Sequence, residues 1–342
     1  MKETLISVIL PVFDREKYIF SAIESILNQT YKNFELIIID DASKDNTISI
    51  INEFTDSRIY LVKNDVNIGV AASTNIGIKK AKGQYIAKMD SDDIALPSKL
   101  EKQISFMEAN KKVIVCGCNI EYFGAEKKII KYKENHEAIL ANMLITNPFA
   151  NPTVIIRKNI FNTFKYDESY RYGEDYEFWT RIGWQGELYN LQEVLLLYRV
   201  HSKQLSSDVE NKRLDVDISL KLTLFHKINY NSEIFTDEFL KKILFSTEKI
   251  ELQECSLFFK WLNELLKINK KHQVFDQNEL VINLEKLKKN FVFDLFFTNK
   301  RKGINYFSKM KILLILPSTE KIFVLEKKIL EKIKRLFKIV NI

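Results

Sequence analysis

GQYIAKMDSDD, residues 83–93, runs from an apolar strand signal directly into Asp90-Ser91-Asp92-Asp93. An apolar run that stops on acids sets them just beyond a strand's carboxyl end, where open α/β sheets bind their ligands. FELIIIDDAS, residues 34–43, repeats the arrangement, its run closed by Asp40 and Asp41. Outward from these two stretches, Leu5–Leu10 suits a strand buried on both faces. Tyr18–Asn28 sets Ile19, Ala22, Ile23, Ile26 and Leu27 on one helical face. Asn46–Phe54 reads as a short helix, Arg58–Lys63 as a strand and Val70–Ala81 as a helix. Pro97 opens another helix, continued by Lys99–Glu108. Strands separated by helices of this length imply βαβ units, hence an α/β fold around a mostly parallel sheet flanked by helices.

Past residue 113 the pattern loosens. Val113–Cys118, Thr153–Ile156 and Glu193–Arg199 read as strands, and Tyr172–Trp184 is crowded with acids, glycine and aromatics. Beyond about residue 210 the chain turns to long helical stretches rich in Lys, Leu, Ile and Phe; Phe291–Phe297 fits helix or buried strand equally. The expected organisation is a catalytic domain over residues 1–210 and a mainly helical region over 211–342. The run ending at Pro11 is short and lacks a small-residue cleavage site, which suits a strand better than a secretory leader. No run reaches the roughly eighteen apolar residues of a membrane-spanning helix.

Apolar residues make up 46% of the 342, enough for a substantial interior, and 9 glycines and 5 prolines exclude collagen-like or linker-rich chains. The net charge of +7 is concentrated at one end. Residues 300–342 carry twelve Lys or Arg against three Glu, leaving −2 for the rest. In Ile322–Val340, Ile322, Leu325, Ile329, Ile333, Leu336 and Val340 recur at helical spacing, with Lys327, Lys328, Lys332, Lys334, Arg335 and Lys338 between them. Such a helix either lies on an anionic membrane surface or packs its stripe on the body and solvates its lysines. It lacks the interleaved aromatics of a base-stacking platform, so no nucleic-acid partner is expected. Cys116, Cys118 and Cys255 form no disulfide framework, consistent with a reducing cytoplasm.

Asp90 and Asp92, two apart at a strand end with Ser91 between, are hard oxygen ligands suited to Mg²⁺ or Mn²⁺. An acidic loop capping the next helix would look the same. Asp40 and Asp41 can accept from a base or a ribose hydroxyl, or simply close an Asx turn. Neither a G-x-G-x-x-G turn nor a phosphate-loop lysine motif is present, which disfavours dinucleotide and P-loop chemistry. In YGEDYEFW, residues 172–179, Glu174 and Asp175 sit among aromatics. Sugars stack on rings such as Trp179 and hydrogen-bond such carboxylates, and partial burial can raise a carboxylate toward the range useful to a general base; helix N-terminal acids are the plain alternative. His201 follows a strand and is the available imidazole ligand.

Taken in order, residues 7–14, Ser25–Thr30, Glu35–Ser43, Asn67–Ala71 with Asn75, Met89–Asp93, Asn151-Pro152-Thr153, Gly173–Tyr176 and His201 resemble glycosyltransferase family 2, over about residues 4–207. The resemblance implies the GT-A fold, shared by nucleotide-diphospho-sugar transferases, and inverting transfer of a hexose or N-acetylhexosamine. The implied donor is a nucleotide-sugar, UDP-linked by expectation, and the acceptor a saccharide or lipid-linked saccharide in bacterial surface polysaccharide synthesis. It implies that Pro11, Val12, Phe13, Asp14, Asp40, Asp41, Asn75, Asp90, Ser91 and Asp92 bind the nucleotide-sugar. Asp92 with His201 would hold Mn²⁺ or Mg²⁺, Asp175 would be the base, and Glu174 would position the acceptor. Ala42 stands where glycine is frequent, and Asn151 where histidine often precedes Pro-Thr. The implied location is cytoplasmic, peripheral to the inner face of the plasma membrane. A noncatalytic nucleotide-sugar-binding scaffold and a nucleotidyltransferase are the alternatives.

Overall fold

The computed structural model describes residues 4–201, 210–298 and 306–340, without the side chains of 210–213, 306–308 and 330–340. The elements in chain order are β1 (Ile6–Val12), α1 (Ile19–Leu27), β2 (Phe34–Asp40), α2 (Thr47–Asn52), β3 (Ile59–Lys63), α3 (Val70–Lys80), β4 (Tyr85–Lys88) and β5 (Ile94–Ala95). There follow α4 (Lys99–Ala109), β6 (Val113–Gly124), β7 (Lys128–Ile130), α5 (His136–Asn142), β8 (Ile155–Arg157), α6 (Glu174–Ile182) and β9 (Glu187–Val200). Helices complete the chain: α7 (Glu210–His226), α8 (Asp237–Phe245), α9 (Leu252–His272), α10 (Gln277–Phe297), α11 (Tyr306–Ile315) and α12 (Ser318–Val340). Phe291–Phe297 is therefore helical. Two compact units divide the chain, residues 1–220 and 221–342.

The nine strands form one sheet in the order β3-β2-β1-β4-β8-β6-β9-β5, with β7 beside β6. Strands β3, β2, β1 and β4 are parallel, and in chain order β1, β2, β3 and β4 are linked through α1, α2 and α3, as parallel neighbours require. The second half is mixed. β8 runs antiparallel between β4 and β6, and β7 returns from β6 through a short turn, which only antiparallel pairing allows. β1 and β2 are buried along their whole lengths, as their largely apolar runs require, and the buried Ser7 and Glu35 within them satisfy each other, Ser7 Oγ donating to Glu35 Oε1 at 2.6 Å. Their core continues into Ile19, Ala22, Ile23 and Ile26 of α1 and Leu100, Ile104 and Met107 of α4.

Pro11 sits in a central strand, where a missing N–H would normally cost a ladder bond. It does not here. Ile9 and Pro11 point to the same side, Met89 N bonds Ile9 O at 3.1 Å, and β4 has ended before it reaches Pro11. The gap this leaves at the carboxyl edge begins the cleft.

Buried amides then fix the loops around that edge. Gln29 donates to Leu96 O (2.8 Å) and accepts from Leu100 N (3.0 Å), pinning the segment after the Asp90–Asp93 cluster. Gln103 donates to Cys116 O (2.9 Å) and Thr153 O (2.7 Å), tying α4 to β6 and to the short 3₁₀ turn Asn151–Thr153.

Ala42 adopts φ 64°, the left-handed region in which a Cβ is strained. That strain costs an L-residue about 1–2 kcal/mol, and glycine gives back part of it through the greater freedom of its unfolded chain. Ala42→Gly is expected to stabilise the fold by about 0.5–1 kcal/mol, read as a rise of a few degrees in calorimetric melting temperature.

Candidate functional site

Because β1, β2 and β4 are adjacent and parallel, the residues following all three arrive at one edge. The loop after β1 exposes Phe13 (37%) and takes Asp14 to φ 49°, while Pro11 and Val12 remain buried in the strand. Asp14 Oδ1 accepts from Lys44 N (2.7 Å), and Asp14 N donates to Ser43 Oγ (3.0 Å). Arg15 N donates to Thr47 Oγ1 (2.8 Å), so the first two loops are laced together.

The two acids closing β2 diverge. Asp41 Oδ1 accepts from Asn64 Nδ2 (2.8 Å) and Ile68 N (3.0 Å), and Oδ2 accepts from Gly69 N (2.8 Å). Gly69, at φ 89°, makes the turn into α3 that a side chain would strain. Asp41 thus anchors the 64–69 loop, with about one of its four lone-pair positions left for a ligand. Asp40 Oδ2 accepts from Ser43 N (3.2 Å), whereas its Oδ1 is buried with no hydrogen-bond partner among the described residues. A buried carboxylate oxygen without a donor is costly, and the adjoining cleft is where a ligand donor would approach.

The third strand end is the most charged. Asp92 Oδ2 lies 3.0 Å from His201 Nε2 and 3.4 Å from Arg15 Nε. His201 packs on the Tyr18 ring, centroids 4.8 Å apart. Arg199 ties the end of β9 to the cluster: its N donates to Asp93 Oδ1 (2.8 Å) and its Nε to Asp92 O (2.7 Å). Its guanidinium lies over the rings of Tyr18 (4.8 Å) and Phe123 (4.3 Å). Ser91 is buried between the acids. Burial pushes the Asp90 carboxyl up to about 7, with Lys88 opposing and Asp92 and Asp175 reinforcing the rise.

Those mutual influences bring the fourth component in. α6 begins at Gly173, φ 70°, so Glu174 and Asp175 occupy its first turn, where the helix dipole favours carboxylates. Asp175 Oδ2 accepts from Asn147 Nδ2 (2.8 Å) and Oδ1 from Tyr176 N (2.7 Å). Burial, reinforced by Asp175, pushes the Glu174 carboxyl up to about 8. Lys88, fully buried, donates to Thr74 Oγ1 at 2.8 Å, and burial pulls its ammonium down to about 8.

Two expected ligand-facing side chains are placed elsewhere. Trp179 is 0% exposed, wedged against Phe149 (5.2 Å) and Phe178 (5.3 Å), and has no ring face open to a sugar. The reason is the helix face: Trp179 lies with Phe178 on the side of α6 that packs into the core, whereas Glu174, Asp175 and Arg181 keep partial exposure. Asn75 is occupied by the 166–168 segment, its Oδ1 accepting from Tyr166 N (3.1 Å) and its Nδ2 donating to Tyr166 O and Glu168 Oε1 (both 2.9 Å). Arg199, Asn147 and Lys88 were not marked by sequence reasoning. Of these, Lys88 alone had a local signal, a charge inside a buried-strand run.

The neighbouring Asp92 and His201 offer one hard oxygen, which suits Mn²⁺ or Mg²⁺, and one borderline nitrogen, which suits Mn²⁺ better than Mg²⁺. Among the described residues no three His, Cys, Asp or Glu side chains are grouped to hold a metal. The pair therefore fits a cation whose other ligands are phosphate oxygens and water, as is usual for Mg²⁺ at phosphate sites.

The sequence model of the family described as "Glycosyl transferase family 2" matches residues 7–173. A Haemophilus influenzae protein described as an uncharacterized glycosyltransferase is 38% identical over 218 residues, covering 59% of this chain and 68% of that protein. Escherichia coli WfgD, named a UDP-Glc:α-D-GlcNAc-diphosphoundecaprenol β-1,3-glucosyltransferase, is 36% identical over 182 residues, 53% of this chain and 71% of WfgD. The crystal structure of S. aureus TarS 1–349 with UDP-GlcNAc superposes with a TM-score of 0.59 at 16% identity, covering 86% of this chain and 93% of TarS 1–349. The GT-A fold is thereby shared.

Asp41→Ala strips the acceptor from Ile68 N and Gly69 N. Hydrogen exchange at those two amides is expected to quicken markedly, with a stability loss of about 2–3 kcal/mol in denaturant titration.

Proposed function

From the chain's membership of glycosyl transferase family 2, we propose that it transfers a hexose or N-acetylhexosamine from a UDP-sugar to a saccharide or lipid-linked saccharide hydroxyl, with inversion. The observation that carries the reading is geometric. The adjacent parallel strands β1, β2 and β4 bring their acid-bearing ends to one sheet edge, where Asp92 lies 3.0 Å from His201 and 3.4 Å from Arg15, in a chain whose Asp175 is held by Asn147 at 2.8 Å. Lone capping acids would not be assembled so. The donors named for WfgD and for the TarS complex, UDP-Glc and UDP-GlcNAc, support a UDP-sugar. The diphosphoundecaprenol-linked acceptor named for WfgD supports a lipid-linked one in surface-polysaccharide synthesis.

In this mechanism Asp175, steadied by Asn147, takes the proton from the acceptor hydroxyl. The acceptor oxygen bonds to the anomeric carbon from the face opposite the nucleoside diphosphate as the bond to that group breaks. The loops carrying Phe13, Asp14, Asp40 and Asp41 hold the nucleoside, and Glu174 orients the acceptor. Asp92 and His201 would hold a divalent cation, which supplies charge neutralisation to the departing diphosphate. Arg15, beside Asp92, adds a fixed positive charge to the same place.

A membrane-borne acceptor matches the helical unit. Among the described residues no helix is long and apolar enough to cross a membrane. α12 nevertheless exposes Ile322 (54%), Leu325 (54%) and Ile329 (58%). A groove of about 630 Å³ between α10 and α12 is floored by Val281, Ile282, Phe293 and Phe323 and rimmed by Lys286, Lys289 and Lys327. Apolar floor and cationic rim together suit peripheral contact with an anionic membrane surface. The tail side chains Ile333, Leu336, Val340, Lys332, Lys334, Arg335 and Lys338 lie outside those described.

Purified protein offered UDP-, GDP- and dTDP-sugars with Mn²⁺ or Mg²⁺ is expected to release nucleoside diphosphate from a UDP-sugar. Asp175→Asn should lower that turnover by about 10²–10⁴-fold while leaving donor binding by calorimetry near wild type, and Asp92→Ala should weaken donor binding. Pyrophosphate release would identify a nucleotidyltransferase, and donor binding without turnover, acceptor included, a scaffold. Cosedimentation with phosphatidylglycerol vesicles, and not with phosphatidylcholine vesicles, should be lost on joint Lys286→Glu, Lys289→Glu and Lys327→Glu substitution. Equal sedimentation of both proteins would remove the membrane contact.

A further inference from the structure

His201 stands one residue beyond the end of β9, so the register of the sheet stops before it. Its Nε2 meets Asp92 Oδ2 at 3.0 Å, and its ring face meets Tyr18, the centroids 4.8 Å apart and the planes tilted by 33°. The same Tyr18 ring carries the Arg199 guanidinium at 4.8 Å, which also lies 4.3 Å from Phe123, its cross-strand partner on β6. Arg199 Nε in turn donates to Asp92 O (2.7 Å). A third connection runs through the backbone. Tyr18 N donates to Arg15 O (2.9 Å), closing the turn from which Arg15 Nε comes within 3.4 Å of Asp92 Oδ2. Three partners of Asp92, drawn from both ends of the first unit, therefore each touch one tyrosine. Tyr18 is a firm base for them, because it immediately precedes α1, which is anchored in the core by Ile19, Ala22, Ile23 and Ile26.

We propose that Tyr18 is a positioning residue for the Asp92–His201 pair, its ring face setting the imidazole and the Arg199 side chain against Asp92. The inference rests on Asp92 and His201 being the cation-holding pair. The need for a ring follows from the chemistry of that pair. The Oδ2 and Nε2 atoms that face each other are the atoms a cation would take, as carboxylate and neutral imidazole, so their mutual hydrogen bond is given up on binding. Contact through the imidazole face uses no nitrogen lone pair and persists. A planar guanidinium is held on an aromatic face in the same way, and an ammonium on a flexible stem does not replace it. The Tyr18 contacts with His201 and Arg199 use the ring, and that with Arg15 uses the backbone, so phenylalanine keeps all three and leucine keeps the last alone.

Calorimetry of UDP binding to the full-length protein, with and without Mn²⁺, reads the pair without turnover. Wild type is expected to bind UDP more tightly with Mn²⁺, and His201→Ala to lose that gain. Tyr18→Leu should cut the gain by about tenfold or more while binding UDP as wild type does without Mn²⁺, and Tyr18→Phe should restore it. A gain lost in His201→Ala but kept in Tyr18→Leu overturns the proposal, as does one lost equally in Tyr18→Phe. Should Tyr18→Leu fail to fold, Arg199→Lys keeps the charge without the planar face and should lower the gain in the same assay. Proton NMR without metal gives a second reading, with the His201 ring signals assigned among the four histidines through His201→Ala. They should carry the ring-current shift of an ordered stack in wild type and Tyr18→Phe, and become motionally averaged in Tyr18→Leu. If Mn²⁺ gives wild type no gain, or His201→Ala keeps it, the cation-holding reading of the pair fails, and these signals still decide Tyr18. An imidazole as ordered in Tyr18→Leu as in wild type removes it as the platform.

Discussion

The structure depends on confining many carboxylates to one edge of a parallel sheet. Asp40, Asp41, Asp90, Asp92 and Asp93 end two strands of the sheet, and Glu174 and Asp175 join them from α6. Each needs compensation, because a buried carboxylate is tolerated only when paired or hydrogen-bonded. The compensation is different in kind at each position. Asp41 is satisfied by the backbone of the 64–69 loop, Asp93 in part by the Arg199 amide, and Asp92 by Arg15 and His201. Where it is incomplete, at Asp40 Oδ1 and Asp93 Oδ2, the unsatisfied oxygens lie at the end of β2 and in the segment after β4.

This arrangement explains the division of the sheet. Its parallel half sends three adjacent strand ends to the same edge, which gathers the acids and leaves a gap where β4 stops short of Pro11. Its mixed half serves as a frame. β9 is fourteen residues long and carries Arg199 and then His201 back to the strand end after β4, while β5 is held against it. The site therefore has one wall built by parallel strand ends and another delivered by a returning strand and a helix N-terminus.

The acids at strand ends were legible because period and composition change together there: an apolar run is followed at once by charge. The same holds for Gly173-Glu174-Asp175, where glycine and paired acids mark a helix start. Trp179 was misread because its place four residues after Asp175 does not say which helix face meets the core, where it is wedged against Phe149 and Phe178. Arg199 and Asn147 look ordinary in sequence. Their importance arises from what a strand and a loop set beside them.

Sequence by itself determined the order of strands and helices in the first half, the acids that would meet at the sheet edge and the family likeness, since each depends on local periodicity or on residue order. Tertiary structure alone decided the rest. It set which acids are bound by backbone N–H groups, committed Asn75 to the 166–168 segment, buried Trp179, and enclosed Lys88 between Thr74 and the Tyr166 ring. Hydrogen bonds and local propensity act over a few residues, whereas desolvation and charge act through space, and only the folded chain defines that space.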